Sequence, residues 1–421
     1  MIAQFYTGPW GNQGFHPGGK FTRPLFLTAF FITLFSACNS ANAPVTTAAP
    51  LQNITPSGSG ASPNSPGISH LWKLQDLSVL LPIPKAVPNP DAIHPSQATQ
   101  KGVLIPVSLL NKLPLLEPNL FTATQGSQLE LVSARFDPTS QQIRLVWQVF
   151  KNVVNPDGTP SIVAFDTAVH AFYQMPDTNA FLTDLAQVNT LSDGDYTNQT
   201  PLFVHPTLAK QGMNGAYAQA FKNLLYKYCG DQTIIRLTFM QASGEHLHWT
   251  FGGFTYNQGV IQNFMIPKVN INTTQTFTNS SPSAAEFMGG VDVVPPGQNE
   301  FDAVITNSID PQNVTSSNLE LAHFTSVTLE NPVLSPTDFT DCASCHVAGM
   351  EKLSIEDRAP GTTTETANVY TSSNFNLSNP SVDVNRSDNL RAFGYFAGVP
   401  SVSQRTINES ASIADQLNQK N

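Results

Sequence analysis

Residues 142–150 read QIRLVWQVF. Ile143, Leu145, Trp147 and Val149 fall on one side of an extended chain, and Arg144 and Gln148 on the other. A helix, with its period of 3.6, cannot sort these residues onto separate faces, so the stretch demands a sheet with a buried face. Residues 129–136 precede it, and Asp137-Pro138-Thr139-Ser140 supplies a turn, which predicts a hairpin. Residues 233–240, 246–256 and 260–266 are separated by Ser243-Gly244 and Asn257-Gln258-Gly259, which predicts a three-stranded meander.

One strong helix interrupts these strands. Met213, Tyr217, Ala220, Phe221, Leu224, Leu225 and Tyr228 recur at three-and-four spacing, and Gly230 ends the pattern. A weaker helical pattern spans 104–113. Residues 269–285 and 307–318 are rich in Asn, Thr and Ser and read as surface loops. The class expected is α+β, mostly β. A β-rich body over 71–310, sandwich-like or a meander, precedes a small, loop-rich helical region over 311–421.

The chain has 421 residues, of which 12% are charged and 40% hydrophobic, with a net charge of −10. So few charges exclude a coiled coil and a disordered acidic chain. Lys and Arg are nowhere concentrated, which argues against nucleic acid as a partner.

Residues 24–34, PLFLTAFFITL, are too short an apolar run to span a bilayer. They follow Lys20 and Arg23 and precede Ser36, Ala37 and Cys38, the layout of a secretory signal peptide. The stretch Leu34-Phe35-Ser36-Ala37-Cys38 resembles the lipobox of bacterial lipoproteins, although Phe35 departs from the usual Leu or Val. That resemblance implies a signal over 1–38, lipidation at Cys38, and a place on the periplasmic side or the surface of an outer membrane. Residues 39–70, nearly all Ala, Asn, Pro, Ser, Thr and Gly, suit a flexible linker.

There are four cysteines, Cys38, Cys229, Cys342 and Cys345. The last two lie in Cys342-Ala343-Ser344-Cys345-His346, the C-x-x-C-H spacing of covalent haem c attachment. Two thiols add across the haem vinyl groups, and the adjacent imidazole is directed at the iron. A redox pair would need a βαβ context, and a zinc site a second pair of thiols, neither of which the sequence supplies. A structural disulfide would close only a tiny loop. Cys229 then remains as a small apolar residue.

Residues 311–421 resemble the small monohaem c-type cytochromes, in which an early helix, the C-x-x-C-H motif, a loop-rich middle and a C-terminal helix follow in order. The candidate helices are 317–327, part of which (325–329) also suits a strand, and 406–419, where Ile407, Ala411, Ala414 and Leu417 share a face behind a Thr406–Glu409 capping box. The resemblance covers about a quarter of the chain and implies Cys342, Cys345 and His346 as haem-binding residues, with His346 on the iron. Family members place a Met well downstream as sixth ligand. Here the only downstream Met is Met350, too close to His346 to reach the opposite face. A protein sixth ligand, if present, comes from upstream; otherwise the iron is five-coordinate or holds water. His323 is nearest, and Met288, His246, His248 and Met240 are further candidates. Arg391 and Arg405 are candidate propionate partners, and Phe393, Tyr395 and Phe396 suit either a haem pocket or a plain core. Two weaker patterns carry less: His246 and His248 share a strand face, and Asp193-Gly194-Asp195 reads as a turn.

The expected function is electron transfer by an exported, membrane-tethered monohaem cytochrome with an unidentified redox protein as partner. A peroxidase-like haem oxidoreductase with open iron, and a β-rich surface binding protein with an accessory haem, are the alternatives. Electron carriage fits better than catalysis, because c-type peroxidases more commonly pair two haems and this chain has one motif; the body carries no G-x-S-x-G, H-E-x-x-H, P-loop or Rossmann glycine set.

Overall fold

The computed structural model describes residues 70–113, 129–192, 194–243, 248–257, 259–263, 274–278, 316–335, 348–349, 352–353, 355–356, 367–381 and 392–420. All belong to one compact unit, Asn64–Asn421. The class is α+β, mostly β. The strands are β1 (Ser78–Leu80), β2 (Ala98–Thr99), β3 (Gly102–Val103), β4 (Leu129–Asp137), β5 (Gln142–Val154), β6 (Pro160–Gln174), β7 (Ile234–Ser243), β8 (His248–Asn257), β9 (Val260–Asn263), β10 (Thr274–Thr278), β11 (Phe393–Phe396) and β12 (Val399–Val402). The helices are α1 (Leu74–Leu77), α2 (Val107–Leu110), α3 (Thr178–Asn189), α4 (Pro206–Gln211), α5 (Ala216–Tyr228), α6 (Ser316–Glu330) and α7 (Gln404–Asn418).

An eight-stranded antiparallel sheet in the order β1-β4-β5-β6-β7-β8-β10 dominates, with β9 also pairing β8. From β4 to β8 it is a meander. The expected hairpin is β4–β5, and the expected three-stranded set is β7–β8–β9. Where a loop was expected over 269–285, β10 pairs with residues 248–252 of β8; cross-strand hydrogen bonding holds a Thr-rich segment that has no apolar alternation. The 104–113 pattern forms a single helical turn, α2. Residues 325–329 are helical, because α6 continues through them to Glu330.

The sheet is covered on both faces, which explains why β4 is buried along almost its whole length. One face carries Ala134, Phe136, Ile143, Leu145 and Trp147 against α3 and α5. Phe136 meets Phe181 of α3 at 5.1 Å and Phe221 of α5 at 6.2 Å between ring centroids. Burying each such ring contributes about 1.5–3 kcal/mol. On the other face lie the β11–β12 hairpin and α7. Ser133 Oγ donates to the Phe393 carbonyl at 2.8 Å, and Gln148 bridges the Tyr395 backbone, accepting at 2.7 Å and donating at 2.9 Å. A Cβ at Gly394 would meet Gln148 Oε1 at 2.6 Å, so the bridge requires glycine there. Phe393 and Tyr395 are thus core residues.

α7 is tied to the start of the fold. Ser78 and Ser410 hydroxyls lie 2.6 Å apart, and Asn418 both accepts from the Trp72 amide and donates to its carbonyl. The N-cap of α7 is Ser403, whose hydroxyl accepts from the Thr406 amide, three residues before the expected cap. The Glu of the expected capping box, Glu409, is engaged elsewhere. The boundary expected at 310/311 lies outside the described residues. The described elements on its two sides share one core, in which Phe393, Val402, Ile407, Ala411 and Ala414 join Leu131, Leu145 and Trp147.

Candidate functional site

Cys342, Cys345 and His346 lie outside the described residues, as do Cys38, Met288, His246, Asp193, Met350, Arg391 and the side chain of His248. The described chain stops at Ser335 and resumes at Ala348, so the site is built from the elements that flank the motif.

α6 forms one flank. Ala348 packs on Leu329, Lys352 Nζ pairs with Glu330, and Glu356 Oε1 lies 3.2 Å from His323 Nε2. Three side chains from the segment after the motif therefore meet the C-terminal half of α6. Burial raises the Glu330 carboxyl above its ordinary range, with Lys352 opposing. The hydrogen bond from His323 lowers that of Glu356. His323 is buried, and its Nε2 is already engaged by a carboxylate.

The end of α6 is locked to α7 and the sheet. Arg405 donates from Nη1 to the Leu329 carbonyl at 2.6 Å and from Nε to Glu409 Oε1 at 2.8 Å, and Asn408 donates to the Glu330 carbonyl at 2.9 Å. Glu409 also pairs with Arg135 of β4. Burial alone would raise the Glu409 carboxyl, but Arg135, Arg405 and Arg144 outweigh it and hold the group well below the usual carboxylate range. Arg405, a candidate propionate partner by sequence, is instead part of this internal ion cluster.

From Arg135 the cationic surface continues across the sheet. Arg135 is the cross-strand partner of Arg144, Arg144 of Phe172, and Phe172 of Arg236. The Arg144 guanidinium lies 4.6 Å and that of Arg236 5.4 Å from the Phe172 ring centroid. His170 points to the same face, two residues before Phe172. Burial, and then the charge of Arg144, push its imidazole down to about 3, so it is neutral at ordinary pH. Met240, the partner of Ala168, shares this face. Sequence reasoning passed over His170, although its strand alternates Val169, Ala171 and Tyr173 inward.

A second buried polar cluster was also missed. Asp76 accepts from the Tyr196 hydroxyl at 2.7 Å and the Lys73 amide at 2.8 Å, and lies 3.1 Å from His70 Nε2. Nearby, His205 stacks on Tyr217 at 4.5 Å, and its Nδ1 accepts from the Leu208 amide to cap α4. Burial pushes His205 down to about 4, against the pull of Asp76 and Asp195. The His205-Pro206 pair, a residue capping a helix with Pro at its first position, was the available signal. Cys229 is fully buried and free, and burial raises its thiol well above the ordinary value.

Among the described residues no three His, Cys, Asp or Glu side chains group to hold a metal, and no helix is long and apolar enough to cross a membrane. No family model, curated protein or solved structure matches this chain.

Proposed function

We propose that this protein is an exported, lipid-tethered monohaem c-type cytochrome that carries electrons to or from a partner protein. The observation that carries the reading is the C-x-x-C-H spacing of Cys342, Cys345 and His346. In this reading each thiol adds across one haem vinyl group, the sulfur bonding to one vinyl carbon and the proton going to the other. His346 takes the proximal position on the iron. Haem so bound supplies a one-electron iron couple.

Two further features support the reading. α6 and α7, the helices before and after the motif, touch through Arg405 and Asn408, as the early and late helices of a monohaem cytochrome would. The chain leaves the described residues at Ser335, just past α6, and resumes with Ala348 packed on Leu329 of the same helix. The lipid anchor at Cys38 and an outer-membrane location belong to the same proposal and rest on residues 24–38.

The test is a dithionite-reduced minus oxidised spectrum of protein made in a host that matures c-type cytochromes. A haem band that survives acid–acetone extraction is expected for wild type and absent in Cys342→Ala/Cys345→Ala. A wild type without any haem band would contradict the reading.

A further inference from the structure

A cleft of about 660 Å³ opens where the end of β6, the start of β7, the end of β8 and the turn after α5 meet. Its volume lies within the range of small-molecule sites, about 300–1,000 Å³. We propose that this cleft binds a short neutral saccharide. The proposal is independent of the haem reading, because every lining residue falls between Gln174 and Gly259.

The walls are held firmly. A Cβ at Gly230 would collide with the Lys101 carbonyl, and one at Gly102 with the Asp231 carboxylate, so the turn after α5 packs directly on the β2–β3 hairpin. The Gln232 amide donates to the Lys101 carbonyl at 3.1 Å, and the Thr233 hydroxyl to the Tyr228 carbonyl at 3.0 Å. Together these contacts fix the wall that carries Asp231 and Gln232. In β7, Phe172 of β6 pairs with Arg236 and Tyr173 with Ile234, which leaves Ile235 as the extra residue of a bulge. A bulge kinks its strand and re-aims the side chain it carries. Ile235 lines the cleft beside Tyr256, whose ring is half-buried against the core.

The backbone here is committed. β7 is paired on both sides, Tyr256 and Asn257 pair with Ile261 and Val260, and the Gln174 amide donates to the Thr233 carbonyl at 2.7 Å. A peptide therefore finds no open strand edge along these walls to extend. What remains is side-chain chemistry. Among the described residues no hydrogen bond engages the side chains of Asp231, Gln232, Tyr256 or Asn257. A carboxylate, two amides and a phenol both donate and accept. Asp231 is the one charged residue of the lining, so a phosphate or carboxylate ligand would meet a like charge and no cation. An apolar ligand would strip water from these polar groups without replacing their hydrogen bonds. A sugar offers both requirements: hydroxyls for the amides and the carboxylate, and a C–H face for Tyr256 and Ile235.

The experiment titrates the full chain with maltotriose, cellotriose and chitotriose, read by saturation-transfer NMR and calorimetry. Gln232 and Asn257 are exposed, so Gln232→Ala and Asn257→Ala should melt as wild type does. Wild type should bind at least one trisaccharide in the millimolar range. Each single variant should weaken binding by about three- to tenfold, the loss of one hydrogen bond, and the double variant by more. Gln416→Ala, on the exposed side of α7, should bind as wild type. Trilysine is the competing probe for the Asp231 carboxylate. A wild type that binds none of the three trisaccharides overturns the proposal. So does saccharide binding undiminished in Gln232→Ala/Asn257→Ala, or trilysine binding in place of saccharide and lost in Asp231→Asn.

Discussion

Glu409 holds together a helix end, a sheet and a second helix through two buried arginines, Arg135 and Arg405. Removing one partner from such a cluster leaves uncompensated charge, which typically costs about 3–5 kcal/mol. Glu409→Ala should therefore lower unfolding free energy in urea by that amount, and a loss below about 1 kcal/mol would contradict the description. His205 gives a prediction in pH. Its folded value is about 4 against an ordinary 6.5, so between those values the unfolded chain binds the extra proton. Its contribution is present above pH 6.5 and is lost as pH falls toward 4. Glu130, raised to about 7 by burial, works the opposite way over 4.5 to 7, so the wild-type profile alone does not isolate His205. The difference does: denaturation of wild type and His205→Gln should show the wild type losing more stability between pH 7 and pH 4.5. Equal losses would place the proton elsewhere.

At the scale of elements, legibility tracked how sharply the residues sort by polarity. β4, β5 and α5 were readable because large apolar side chains recur at period 2 or 3.6. β6, the longest strand, was not: its inward Val169 and Ala171 are small, and Ala, Thr and Asp dilute the alternation. α3 was missed although Asp177 caps it and Phe181, Leu182, Leu185 and Val188 form its buried stripe, because Thr, Asn and Gln fill the remaining positions. α7 was read as a helix with one apolar face. Its Arg405, Asn408, Glu409 and Ser410 are also buried, satisfied by partners from α6, β4 and β1. A single sequence does not display such long-range pairings. The same reason hid the engagement of His323 and Arg405.

For the whole molecule, the body and the haem-motif region share one hydrophobic core, with β11, β12 and α7 laid on the sheet and α7 closing against Trp72 and Ser78. A fragment of residues 71–310 would expose that face of β4 and β5 and leave Arg135 without Glu409. It should therefore show no cooperative thermal transition by circular dichroism, and a wild-type-like transition would contradict the shared core. The central claim concerns Cys342, Cys345 and His346. Intact-mass spectrometry of the chain matured in a cytochrome-competent host tests it most directly. The account predicts a species heavier than the polypeptide by one haem, retained under denaturing conditions and lost in Cys342→Ala/Cys345→Ala. A wild-type mass equal to the bare polypeptide would contradict it.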